Sequence, residues 1–419
     1  MNKKFYAGLI CWLTALGLTQ GQPVTLEECY QLAQSNYPLI KEYALIKKAE
    51  AYSLENASKG YLPQLQIAGQ GTYQSEVTQL PFSLPSVDML KMNKDQYKLY
   101  GEISQPITDL FAIKHQKELI EVSSRIEEQK IEVELYALKE RINQLYFGIL
   151  LMEQQIIQGG ILKKDFQNAI DKNNVAIKNG IALKSSGNVL KAELLNAEQR
   201  IIELRSVRKG YIDMLALFIG RDINENSLFE KPLVDEQFSE VNRPEIKLFE
   251  MQKQIYDVQG KLVDTNLRPR FSLFLQGGYG RPALNMLNND FDFYYVGGIR
   301  LIWNIAGFYT HKKDKLLLSE NQNRLDIQKD MFLFNTNLSL KQQNSEIAKL
   351  GELIAADKKV VELREGIKLS AKSQLEEGTI TVNDFLLYVN AGDRAMQNLI
   401  LHEMELLMTQ YKIRTTLGN

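Results

Sequence analysis

Cysteine, histidine, tryptophan and net charge are all scarce in this chain, and each scarcity closes off a class of protein. There are two cysteines, three histidines and two tryptophans, and 50 basic side chains stand against 51 acidic ones. That near-balance offers no electrostatic footprint for nucleic acid, and clusters such as Lys312-Lys313 are followed at once by Asp314. The histidines, His115, His311 and His402, lie far apart among charged residues and form no set with metal-ligand spacing. No phosphate loop or nucleophile motif is present. Gly277-Gly278-Tyr279-Gly280 ends a strand with no helix after it, so it is not a dinucleotide fingerprint. The expectation is a protein that is not an enzyme and needs neither cofactor nor metal.

Long apolar runs are also missing. The only candidate, Phe5–Leu18, follows Lys3 and Lys4, is shorter than the roughly 20 residues a spanning helix needs, and ends in Thr19-Gln20-Gly21. A charged start, a short apolar core and small residues at the end read as a secretory signal peptide over 1–21, cleaved near Gly21–Gln22. Cys11 sits inside that apolar core behind Ile10, which argues against lipid attachment. Its removal leaves Cys29 alone, so no intramolecular disulfide is expected and Cys29 reads as a small apolar residue on a helix face. If the mature chain enters a membrane, it must do so as β-strands.

Proline is absent from 107–231 and from 283–419. Those stretches, rich in Leu, Ile, Lys, Glu, Gln and Ala, predict very long helices over 110–179 and 308–377, each on the order of 100 Å. Gly148, Gly159-Gly160, Gly351 and Gly366 read as weak points or bends within them.

What is present is a repeat. Asn36, Pro38, Ile40, Lys41, Pro63, Gln70, Gly71 and Tyr73 recur without a gap as Asn242, Pro244, Ile246, Lys247, Pro269, Gln276, Gly277 and Tyr279. Each copy is a helix followed by two segments of period two. In the first copy Leu65, Ile67, Gly69 and Tyr73 alternate with Gln64, Gln66 and Gln70, and Tyr97, Leu99 and Ile103 with Lys98 and Glu102. In the second, Phe271, Leu273, Leu275 and Tyr279 alternate with Ser272 and Gln276, and Phe293, Tyr295, Ile299 and Leu301 with Asp292, Tyr294 and Arg300. Strands of about ten residues with one apolar face fit a transmembrane β-barrel. Four strands cannot close one, because about eight are needed, so several copies must share it; three give twelve strands.

Each long helix ends in a turn and a returning helix. Gly180 and Gly378 read as stops for the descending helices. Asn188 and Asp384 read as caps for the ascending ones, with the first turn about two residues longer than the second. The domain reading is a first repeat over 23–220, a polar connector over 221–241 and a second repeat over 242–419.

This order of elements resembles the TolC family of bacterial outer-membrane efflux proteins across 23–419. The residues that carry the resemblance are Leu26-Glu27-Glu28-Cys29-Tyr30-Gln31-Leu32-Ala33 through Asn36-Tyr37-Pro38, then Ala57–Leu65, then the turn at Gly378-Thr379. The resemblance implies a mainly α protein with transmembrane β-structure: a homotrimer with a twelve-stranded barrel in outer-membrane lipid and a long periplasmic helical barrel. It also implies docking of a periplasmic adaptor and an inner-membrane pump of RND or ABC type, with Gly180, Gly378 and Thr379 at the adaptor-facing tips. Family members can carry two aspartates one turn apart at the entrance. Here Asp384 matches the first and Leu387 stands at the second, while the equivalent position in the first repeat is taken as Asn188. Gln64, Gln66, Gln70, Lys98, Glu102 and Arg300 would line the barrel pore. Two other roles fit the same pattern. One is the channel of a type I protein-secretion system; the other is a periplasmic coiled-coil scaffold or adaptor that never reaches the outer membrane.

Overall fold

A computed structural model describes residues 23–78, 92–233 and 240–418. The expected signal peptide therefore lies outside the described residues, as does part of the connector. The elements run α1 (Leu26–Asn36), α2 (Glu42–Ser58), β1 (Gln64–Tyr73), β2 (Asp95–Pro106), α3 (Leu110–Lys178), α4 (Lys184–Ile219), α5 (Pro244–Asn266), β3 (Arg270–Arg281), β4 (Asp292–Ile302), α6 (Gly307–Glu376) and α7 (Val382–Leu417). The long helices expected over 110–179 and 308–377 are α3 and α6, of 69 and 70 residues. Among the described residues no helix is long and apolar enough to cross a membrane.

The chain forms two compact units. One contains Lys41–Ile131 and Glu245–Met331; the other contains the described residues up to Ile40, Glu132–Pro244 and Phe332 onward.

In the first unit the four strands make one antiparallel sheet in the order β1-β2-β3-β4. The middle pairing, β2 with β3, joins the two repeats, and β1 and β4 are left as edges. The helical part packs α3 on α5 through Val122, Ile126 and Val258. Ion pairs fasten the rims: Lys47 with Glu128 at 2.5 Å, and Lys253 with Asp326 at 2.8 Å. Exposed pairs of this kind contribute about 0–1 kcal/mol each, so apolar contact dominates.

In the second unit the core is a helical cluster that includes Phe166, Leu190, Val382, Phe385 and Val389. Tyr146, wholly buried, ties the segment before α1 to the connector: its Oη lies 2.7 Å from both Val24 O and Glu230 O. Cys29 is 0% exposed, and burial pushes its thiol up to about 12, as suits a small apolar residue. The glycines of α3 are not all bends. A Cβ on Gly148 would come within 2.8 Å of the Tyr211 ring, and one on Gly159 within 3.0 Å of Ile201, so both are close-approach points between α3 and α4. Around Gly160, Gly351 and Gly366 there is open space.

The duplication is visible at the helix ends. α4 and α7 both stop at left-handed glycines, Gly220 (φ +61°) and Gly418 (φ +99°). Each glycine is roofed by the asparagine that opens the recurring segment of its own half, Asn36 or Asn242. A Cβ on Gly220 would stand 2.4 Å from Asn36 Cγ, and one on Gly418 2.2 Å from Asn242 O.

Candidate functional site

The sheet is built inside out for a protein in water. On its apolar face the large side chains are the exposed ones: Leu65 73%, Ile67 76%, Ile299 70% and Tyr295 78%. On the opposite face of the central strands, Lys98, Tyr100, Glu102, Phe274 and Gln276 are half-buried. Aromatic residues gather toward both strand ends on the exposed face. Tyr97, Tyr279, Phe291 and Phe293 form one contiguous cluster with ring centroids 4.8–6.3 Å apart. At the other end Trp303 packs edge-on to Phe308 at 6.4 Å and donates to Leu267 O at 3.0 Å.

Register gathers the polar residues expected to line a pore. Gln66 pairs with Glu102, which pairs with Gln276; Gln70 pairs with Lys98, which pairs with Gly280; Gln64 pairs with Ser104. Arg300 faces Ser272 on the same side of the sheet. All six expected residues thus share one face.

Two of them do not act as separate charges. Arg300 reaches across β3, donating from Nη1 to Glu102 Oε1 at 2.6 Å and from Nη2 to Glu102 Oε2 at 2.9 Å. Its guanidinium lies over the Phe274 ring at 4.4 Å. The fork geometry makes this among the stronger ion pairs, and it neutralises both groups on that face of the sheet.

In the other unit, the two helix turns are alike. Gly180 N donates to Ile177 O at 3.0 Å and Ile181 N to Ala176 O at 2.8 Å. Gly378 N donates to Leu375 O at 3.2 Å and Thr379 N to Gln374 O at 2.9 Å. With φ of +74° and +73°, both glycines close the same two-bond helix end. The expected stops at Gly180 and Gly378 are found.

The expected caps are not. α4 begins at Lys184, so Asn188 lies within the helix, exposed, and the cap position is Leu183 with no side-chain bond. The cap of α7 is Thr381, not Asp384. Asp384 sits three residues in and closes a reciprocal box: Thr381 N donates to Asp384 Oδ2 at 3.0 Å, and Asp384 N donates to Thr381 Oγ1 at 3.2 Å. The Thr381 hydroxyl, and after it the Thr381 backbone N–H, hold the Asp384 carboxyl below its ordinary value. Both turns also have the same length, 179–183 and 377–381. The residue matching Asp384 in the first repeat is therefore Ser186, and the one matching Leu387 is Val189. Asp384 and Leu387 are both exposed, one turn apart on α7.

One polar cluster escaped sequence reading. Asp393 on α7, only 8% exposed, accepts from Gln158 Nε2 on α3 at 3.0 Å and from Gln397 Nε2 at 2.6 Å, and Arg200 on α4 donates to Gln397. Asp393 is one of several charged residues on α7, with Arg394 beside it, so nothing in the sequence set it apart. Each histidine meets one carboxylate: His115 with Glu118, His311 with Asp264 and His402 with Asp357.

No family model and no curated protein matches the chain. Solved structures do. The outer-membrane channel OprN matches with a TM-score of 0.67 at 15% identity, covering 94% of this chain and 89% of its own. The Vibrio cholerae outer-membrane protein VceC matches at 0.65 and 13%, covering 94% and 96%. The Campylobacter jejuni CmeC outer-membrane channel matches at 0.64 and 13%, covering 100% and 93%. With its long helices and four-stranded antiparallel sheet, the chain has the TolC-like fold of these outer-membrane channels.

Proposed function

We propose that the protein is the outer-membrane channel of a tripartite efflux system. The observation that carries this reading is the sheet's reversed burial, with exposed Leu65, Ile67, Leu275 and Ile299 on one face and Gln, Lys, Glu and Arg on the other. In lipid the apolar face is stable and the polar face needs water behind it. The free edges of β1 and β4 would each leave backbone groups unpaired at several kcal/mol apiece. Three copies joined edge to edge close twelve strands and remove every edge, so the working form is a homotrimer.

In this reading the helices form a water-filled periplasmic duct, and an adaptor with an RND or ABC pump in the inner membrane supplies the energy. The turns at Gly180 and at Gly378-Thr379 face the adaptor. Asp384, with Leu387 beside it, stands at the entrance, and the helix hairpins at 180–188 and 378–385 move to open it. The solutes undergo no chemistry on the way out.

Paired cysteines placed across the two hairpins, in a chain with Cys29 replaced by Ala, test this directly. Transport that stops on oxidation and returns on reduction supports the gate. Transport that continues with the cross-links formed contradicts it.

A further inference from the structure

On the polar face of the sheet, three large aromatic side chains stand where polar ones would suffice: Tyr100 on β2, Phe274 on β3 and Tyr294 on β4. Register sets Tyr100 and Tyr294 on either side of Gly278, and Phe274, four residues back along β3 and so roughly 13 Å away, pairs with Gly298. The glycines show how the rings lie. A Cβ on Gly278 would stand 2.8 Å from Tyr294 Cζ and 2.8 Å from Tyr100 Cβ, and one on Gly298 3.4 Å from Phe274 Cε1. Tyr294 therefore lies over Gly278 and Phe274 over Gly298, spread against the wall. Rings that stood upright would leave those glycine positions open.

Charge is handled in the same place. Arg300 stacks on Phe274 at 4.4 Å and is tied by both Nη atoms to Glu102. The patch combines the Tyr100 and Tyr294 rings with the Arg300 guanidinium, which lies over Phe274 and is paired with Glu102, and around it stand the amides Gln66 and Gln276 and, one place beyond Tyr100 on the same face, Lys98. Such a surface binds flat π-systems through stacking.

We propose that Tyr100, Phe274 and Tyr294, with Arg300, form a shelf on the pore wall that binds planar aromatic solutes in transit. The proposal rests on the reading of this face as a pore lumen. In a trimer the shelf recurs three times around the barrel. A solute stacked on it is slowed relative to an aliphatic solute of the same size and charge, so the shelf sets selectivity by residence on the wall.

The test uses the full mature chain reconstituted in planar bilayers, with the indole-bearing cation tryptamine as one probe and the aliphatic cation hexylamine as the other. The expected result is that tryptamine interrupts the current at a several-fold lower concentration than hexylamine. Tyr294→Leu should raise the tryptamine concentration needed by about fivefold, the scale of one lost aromatic contact, and leave hexylamine unchanged. Tyr294→Phe, which keeps the ring and the fold, should behave as the parent. Equal effects of the two amines on the parent channel, or tryptamine sensitivity that survives Tyr294→Leu with Phe274→Leu, overturn the shelf alone. Correctly assembled protein that carries no current even when the hairpins at 180–188 and 378–385 have been loosened by substitution overturns the pore reading and the shelf together.

Discussion

Arg300 on β4 grips Glu102 on β2 with both Nη atoms, at 2.6 and 2.9 Å, over the top of the strand between them. The two residues are 198 apart in sequence and two strands apart in the sheet. Taken separately they are two charges on the polar face of the sheet; taken together they are none. Arg300→Met should expose three carboxylates per trimer and shift the channel toward cations. Glu102→Gln should do the opposite, and the double variant should return to the parent. The reversal potential under a KCl gradient measures all three.

Among the described residues the four left-handed glycines fall into two classes. Gly220 is roofed by Asn36, whose Nδ2 also donates to Leu217 O and Phe218 O at 3.2 Å each. Gly378 has nothing within 4 Å of an added Cβ. Asn tolerates the left-handed conformation, so Gly378→Asn should leave thermal stability nearly unchanged. Gly220→Asn must also displace Asn36 and should cost about 2 kcal/mol or more. Thermal denaturation followed by circular dichroism separates the two.

The capping box on α7 has no counterpart on α4, where Leu183 makes no side-chain bond. Backbone amides in the first turn of α7 should therefore exchange more slowly than those of α4. Thr381→Val should abolish the difference, with about a fivefold loss of protection. The pH dependence follows from the Asp384 carboxyl, which is held below its ordinary 3.8 by the Thr381 hydroxyl and then by the Thr381 N–H. Its contribution is fully present above 3.8 and is lost as the pH falls through its lower folded value. Protection of 382–384 should be flat from neutral pH down to that point and should fall only in stronger acid.

Asp393 is the acceptor for two buried amides, on Gln158 and Gln397. Asp393→Leu strands both donors and should destabilise the helical unit by about 2–4 kcal/mol. Combining Asp393→Leu with Gln158→Leu and Gln397→Leu should recover part of that loss, because the unpaired donors go with their acceptor. A triple variant no more stable than the single one would mean that packing, not polar satisfaction, is the role of this cluster.

Patterns that repeat along the chain were legible in the sequence. The missing prolines announce long helices in both halves, Gly180 and Gly378 mark where α3 and α6 end, and the period-two segments fix which face of each strand is polar. The starts of the returning helices were read less well. α4 opens on Leu183, a residue with nothing to cap with, so Asn188 attracted the assignment five residues late. For α7 the signal was present: Thr381-Val382-Asn383-Asp384 has the spacing of a capping box, with Asp384 as its third helical residue. The Glu102–Arg300 fork and the ring shelf depend on the register of strands nearly two hundred residues apart, and periodicity within a strand carries no information about that.

The central claim is that β1 and β4 close against other copies of this chain. The mass of the mature protein, extracted by mild detergent from the outer-membrane fraction and corrected for bound detergent, tests it most directly. The account predicts three chains per particle. A single chain per particle, or recovery of the protein in the soluble periplasmic fraction, would leave those edges unpaired and would contradict a shared barrel.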